Sequence, residues 1–250
     1  MTYYPYSILN EDSPSPWVIT CDHATNTVPP SVNNGSLGLP EADMNRHIAY
    51  DVGAAGVSKY LADILDAPAI FSNFSRLVID PNRGEDDPTM LMKLYDGSII
   101  PANRHADRQE RDRRRDAFYR PYHTALTGLL AKRDTPAIVS MHSFTKQLNG
   151  HPPRPWHIGV LFADDERLSR PFLDIAYEAA QTDDTLCIGE NEPYGGHLPG
   201  DAIDRHALQQ GRLNILIEIR NDLIETDVDQ KAWAERIAPW LIRALEKATG

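Results

Sequence analysis

Cysteine is scarce here, with only Cys21 and Cys187 in 250 residues. Both sit in apolar strand-like runs, VITC and TLCIG. They read as two buried thiols of a cytoplasmic protein, and nothing in the pattern supports a disulfide. Long apolar runs are missing too, so no segment approaches the length of a membrane span. The opening stretch, MTYYPYSILNEDSPSP, has neither a basic start nor an apolar run, and is not expected to be a secretory signal. Positive charge is in deficit: 25 Lys and Arg stand against 36 Asp and Glu, a formal net charge of -11. That argues against nucleic acid or an anionic membrane as the main partner, though a local basic patch can still bind a small anion. Internal repeats, low-complexity tracts and linkers are also absent. What is present is ordinary for a soluble globular chain, 41% apolar and 24% charged residues, and the length allows one large core.

Strand and helix signals alternate almost throughout. WVITC reads as a strand. Residues 44–67 carry Ile48, Val52, Val57, Leu61 and Leu65 close to one helical face. PAIFSNF and RLVID read as two short strands. Gly84 to Asn103 looks like a long loop, which in a compact domain is usually functional or disordered. Residues 107–134 read as a long helix, broken or kinked near Pro121. PAIVSMHSF, WHIGVLF, TLCIG and LNILIEIR follow as strands. They are interleaved with helices at 166–181, at 205–212 (short) and at 230–248. The economical architecture is one α/β domain over residues 1–250, a three-layer sandwich. Its central sheet is mostly parallel but mixed, with helices on both faces.

Three strand ends carry polar groups that an apolar strand does not need. They are His23 after VITCD, His142 after AIVSM, and Glu218 inside NILIEIRND. Parallel strands bring their carboxyl ends together, where ligands bind in α/β folds. Two imidazoles, one oxygen ligand and an open position make a catalytic zinc arrangement. A nearby carboxylate can take a proton from water and deliver it to a leaving amine, which suits Glu218. The plainer readings stand beside these: a hydrogen-bonding loop histidine, and an ion pair between Glu218 and Arg220. A second constellation, SRLVIDPNRGEDD, places Arg76, Asp80, Asn82 and Arg83 around a strand end. Arg76 and Arg83 offer planar forks suited to a carboxylate, Asn82 can donate alongside, and Asp80 can hold Arg83 in place. The alternative is a simple Asp-Pro-Asn turn.

The blocks CDHATNTVPP, RHIAYDVGA, SRLVIDPNR, RPYHTAL, VSMHSF, ENEPYGG and LIEIRNDLI occur in the order found in the N-formylglutamate amidohydrolase family. The chain resembles that family over roughly residues 17–245. The family is similar in its phosphorylase/hydrolase-like fold to zinc carboxypeptidases and to the aspartoacylase group. The resemblance implies a zinc-dependent hydrolase that cleaves the amide of an N-acylated acidic amino acid, with one Zn2+ ion. By position, it makes His23 and His142 metal ligands, Glu218 the water-activating carboxylate, and Asn82 with Arg83 the grip on the substrate carboxylate. Arg76 would be a second grip. Where the carboxypeptidase pattern has a Glu three residues after its first histidine, this chain has Asn26, a neutral and weaker ligand. Asp51 is then the other candidate for the third ligand. His47 precedes it by one helical turn; the two can equally form an exposed i, i+4 pair.

Other polar residues are open to two readings. His157 starts a strand and can donate to the acyl oxygen in the transition state. Tyr194 or His197, in a Gly-rich loop, can close over substrate, and Arg220 can touch it. Each can also be plain loop chemistry. His123 and His206 read as packing or surface residues, and DRQERDRRRD as a solvated helix face. The expected function is hydrolysis of a small N-acyl amino acid. The rivals are a peptidase or amidase for a larger substrate, and a non-catalytic carboxylate- or metal-binding domain of the same fold.

Overall fold

The computed structural model describes residues 3–250. Strands β1 (Tyr6–Leu9), β2 (Trp17–Cys21) and β3 (Ala69–Ser72) are followed by a small hairpin of β4 (Leu94–Tyr95) and β5 (Ser98–Ile99). Then come β6 (Ala137–Phe144), β7 (Ile158–Leu161), β8 (Ile188–Glu190) and β9 (Leu213–Arg220). The helices are α1 (Glu41–Met44), α2 (Ala54–Ile64), α3 (Arg108–Arg114), α4 (Arg120–Ala131), α5 (Ser169–Ala180), α6 (Ala202–His206) and α7 (Asp227–Thr249). Seven strands form one sheet in the order β1-β3-β2-β6-β9-β7-β8. Pairing is parallel except for β1 against β3 and β7 against β9.

The central strands are apolar throughout because both of their faces are covered. Val139, Met141, Ile215 and Ile217 pack with Val57 and Leu61 of α2, Phe172 of α5 and Ile237 and Leu241 of α7. On the opposite face Val18, Ile138 and Leu216 meet Tyr122, Leu126 and Leu129 of α4 and Ile203 of α6. A third cluster, with Ile48, Leu77, Val78, Ile79 and Phe118, consolidates the loops between β2 and α3. Cys21 and Cys187 are free thiols; Cys21 is buried as expected, whereas Cys187, just before the edge strand β8, is only half-buried. No helix among the described residues is long and apolar enough to cross a membrane.

Four departures from the sequence expectations have local causes. The helix expected from residue 44 starts only at Ala54, because Gly53 adopts φ +81° and residues 45–53 run through turns. RLVID is not a strand: its apolar residues are buried in the loop cluster, and Val78 N–H bonds back to Ser75 O in a turn. Near Pro121 the helix does not break. A π turn at Arg115–Tyr119 separates α3 from α4, with Arg120 N–H bonding Arg115 O. That wider turn accommodates the N–H that proline lacks. The edge strand β1 was not anticipated from YSIL.

Candidate active site

At the carboxyl edge of the sheet, the chain leaves β2 through Asp22 and His23. One strand over, His142 of β6 lies in register with Glu218 of β9. The strand pleat turns both side chains to the face shared by Ile138 and Leu216. There they line a cavity of about 310 Å³, together with His23, His47, Asp51, Arg76, Asn82, Arg83, Tyr95 and Tyr194. Leu161, Leu198 and Leu216 supply its apolar wall.

The turns that replace the start of the expected helix carry Asp51 to the strand ends, where its N–H bonds His23 O at 3.0 Å. Asp51 Oδ2 then lies 3.2 Å from His23 Nδ1 and 2.7 Å from His142 Nδ1. One donor atom from each of His23, Asp51 and His142 falls within 4.8 Å of the others, and all three residues are buried. The outer nitrogens are anchored: His23 Nε2 donates to Asp80 Oδ1 at 2.7 Å, and His142 Nε2 lies 3.0 Å from Ser140 Oγ. Asp80 is fixed in turn by Arg76, through Nε at 3.2 Å and Nη2 at 2.9 Å, and by the Asn82 amide at 2.8 Å. Two imidazoles turned by outer partners toward one carboxylate form a donor set that fits a divalent cation.

Charge within this cluster is strongly perturbed. Burial alone would raise Asp51, but the imidazoles of His23 and His142 outweigh it and hold the carboxyl well below its usual range. Asp80 is likewise held far down, by Arg76 and then His23, against burial. For His142 burial is overcome by Asp51, Glu218 and Asp22, which lift the imidazole to about 9. Glu218 is only 8% exposed, and burial pushes it up to about 7. Its Oε2 has no hydrogen-bond partner.

A glycine secures the roof of the cavity. Gly159 of β7 pairs with Glu218, and a Cβ there would stand 2.1 Å from Glu192 O. The absent side chain lets the loop after β8 lie directly on the strand and bring Tyr194, Gly195, Gly196 and Leu198 to the cavity. Tyr194 Oη accepts from Arg154 Nη1 at 3.0 Å, and burial raises its hydroxyl to about 12.

Of the residues singled out by sequence, the cavity gathers His23, His142, Glu218, Asp51, Arg76, Asn82, Arg83 and Tyr194. Arg76 is not free: besides Asp80, its Nη1 lies 3.4 Å from Asp51 Oδ1. Asp80 therefore holds His23 and Arg76, not Arg83. Arg83 bonds Thr89 Oγ1 at 3.2 Å and Asn82 O at 2.9 Å. Asn82 Nδ2 lies 3.5 Å from His142 Nε2, and its Oδ1 accepts from the Ala202 amide at 3.2 Å. His47 lines the cavity from a turn rather than from a shared helix face with Asp51.

Four candidates fall outside. Asn26 Nδ2 is turned to Met44 O at 2.9 Å and Asn45 Oδ1 at 3.0 Å, away from the histidines. His157 accepts the Cys187 amide at 2.9 Å and lines a separate hollow with Trp233 and Arg236 of α7. Arg220 is occupied by Asp222 at 2.7 Å and by backbone carbonyls of the 154–156 segment. His197 lines another surface hollow, with Asp204 and Gln209. Tyr95 of β4, Ser143 of β6 and Asp201 at the start of α6 also line the cavity and are not singled out by the sequence.

The sequence pattern of the N-formylglutamate amidohydrolase family matches residues 15–225. No curated protein sequence gives a significant match. Among solved structures, a gene product of Agrobacterium tumefaciens superimposes with a TM-score of 0.90 at 32% identity, covering 98% of this chain and 96% of its own. N-formylglutamate amidohydrolase from Ralstonia eutropha JMP134 superimposes with a TM-score of 0.66 at 22% identity, covering 96% and 98% respectively, a likeness of fold. With the family pattern spanning every strand from β2 to β9, the chain belongs to the N-formylglutamate amidohydrolase family and is an amidohydrolase.

Proposed function

We propose that this protein hydrolyses the amide bond of a small N-acyl amino acid. N-formyl-L-glutamate or a close acidic relative is the substrate, and zinc is the metal. One observation carries the reading: a buried carboxylate with an unpartnered oxygen, Glu218, shares a cavity with a two-histidine, one-aspartate cluster. Buried unpaired carboxylate oxygens are costly and cluster where chemistry needs them. His23, Asp51 and His142 would hold zinc, and the chemistry it supplies there is Lewis-acid polarisation.

The remaining work falls to the chain itself. Glu218 takes a proton from the attacking water through Oε2 and passes it to the leaving amine nitrogen. An affinity for protons near neutrality suits a group that must both accept and return one. Asp80 fixes His23 in one orientation, so the cluster is preorganised. Arg83, with Asn82, grips the carboxylate of the amino acid. A cavity of about 310 Å³ is of a size that matches a small substrate.

The test is amine release from N-formyl, N-acetyl and N-succinyl amino acids by protein stripped of metal and reloaded with zinc. Zinc-dependent turnover of N-formyl-L-glutamate or a near relative is the expected result. Zinc-loaded protein that releases no amine across the whole panel would refute the reading.

A further inference from the structure

In this acid-rich chain most arginines around the cavity are matched to a carboxylate. Arg76 is paired with Asp51 and Asp80, Arg46 with Asp43 and Asp96, and Arg220 with Asp222. Arg83 and Arg154 differ. Among the described residues, the side-chain hydrogen bonds of each go only to hydroxyls and backbone carbonyls. With 36 acidic side chains available, two guanidiniums beside one cavity without a carboxylate leave room for carboxylates that arrive with a ligand.

Arg154 is built in firmly. Its amide bonds Lys146 O at 2.8 Å, and its carbonyl lies 3.4 Å from Arg220 Nη1. Its Nη1 donates to Thr145 O at 3.1 Å and to Tyr194 Oη at 3.0 Å. The guanidinium carbon lies 4.9 Å from the ring centre of Tyr194 and 5.8 Å from that of Phe144. Thr145, Tyr194 and Phe144 all line the cavity. Two aromatic faces and two neutral acceptors hold the planar fork in place without neutralising it, which lowers the ordering cost of binding an anion. His47, another lining residue, is lowered by burial first and then, against Asp96, by Arg46, Arg76 and last Arg154.

We propose that Arg154 binds a second carboxylate of the substrate. Arg83 takes one carboxylate and Arg154 the other, so Arg154 selects N-acyl amino acids with an acidic side chain. This rests on the amide hydrolysis proposed above. The test compares wild type, Arg154→Gln and Arg154→Lys, zinc-loaded, on N-formyl-L-glutamate and N-formyl-L-methionine. Calorimetry of glutarate and valerate binding supplies a readout independent of turnover.

Arg154→Gln should lose about 10- to 100-fold in kcat/KM on the diacid, mostly through KM, and little on the methionine substrate. Arg154→Lys should recover part of that loss, and the preference for glutarate over valerate should fall in parallel. Equal losses on both substrates, or no loss on either, overturn the role of Arg154 while leaving the hydrolysis standing. Should wild type turn over neither substrate, the hydrolysis fails, and the glutarate preference decides Arg154 by itself. Its presence in wild type and loss in Arg154→Gln support the second carboxylate site; no preference refutes it.

Discussion

Two pairs of buried histidines occupy this fold at the same spacing, with ring centres 5.1 Å apart in each. His23 and His142 meet edge to face at 63°, whereas His123 and His206 stack at 16°. In the second pair His123 Nε2 faces Pro81 O at 3.0 Å, and its Nδ1 faces His206 Nε2 at 2.8 Å. A carbonyl only accepts, so His123 Nε2 donates to it, and His206 Nε2 donates to His123 Nδ1. Both rings are thereby neutral struts tying α4 and α6 to the Asp80-Pro81-Asn82 turn. Burial, the neighbouring imidazole and Arg205 keep His123 far below its ordinary value, and burial with Arg205 and Arg212 takes His206 down to about 3. His142 is as deeply buried and goes the other way, to about 9. Burial penalises charge on His142 as it does on His123 and His206; the carboxylates around His142, and their lack at the second pair, decide the opposite outcome.

The largest effect should come from the carboxylate proposed as the base. Glu218→Gln should cut kcat at least about 100-fold in steady-state assays; turnover within a few-fold of the parent would remove Glu218 as the base. The same variant has a second signature in metal-free protein. Because burial raises Glu218 above its ordinary 4.5 to about 7, its contribution to stability is present below 4.5 and lost as pH rises through 7. Glutamine should therefore raise the unfolding midpoint at pH 8, with the advantage gone at pH 4.

Next in size, Asp51→Asn removes the charge between the two imidazoles and should weaken zinc binding at least about 100-fold in chelator competition. Asp80→Asn, which reaches the cluster through the outer nitrogen of His23 and through Arg76, should cost about 10-fold. Equal effects would mean that Asp80 ligates rather than orients.

The smallest effect probes the other pair. His206 is lowered from 6.5 to about 3, so the unfolded chain gains a proton that the folded chain refuses as pH falls below 6.5. Stability should drop over that window. His206→Gln, which keeps a donor for His123, should lose less between pH 7 and pH 5 by roughly 1–2 kcal/mol in urea titrations. An identical pH dependence in both proteins would show that the imidazoles do not differ in the way described.

The sheet and the heart of the site were legible because buried central strands tolerate few polar residues. His23, His142 and Glu218 stood out against VITC, AIVSM and NILIEI for that reason. His157 carried the same signal and lies elsewhere, because the Cys187 amide holds its ring toward α7. Periodicity missed the turns at residues 45–53, since Ile48 and Val52 fit a helical spacing while Gly53 at φ +81° prevents continuity. Those turns deliver Asp51. The tie between Asp80 and His23 spans 57 positions, and no local pattern reports a partner so distant. His123 and His206 read as ordinary packing because a strut and a filler look alike in sequence.

Glu218 lies on β9, the last strand of the sheet, and it is flanked by β6 and β7 from the middle of the chain. During synthesis the histidines emerge long before it, and the β6 edge that pairs with β9 in the finished sheet has no partner until β9 is made. A truncated product ending before Ile217 could present His23, Asp51 and His142 to a metal yet have no base to work with. On the proposed roles, the order of synthesis places the cation-holding residues ahead of the base, and amide cleavage would have to wait for the last strand of the sheet.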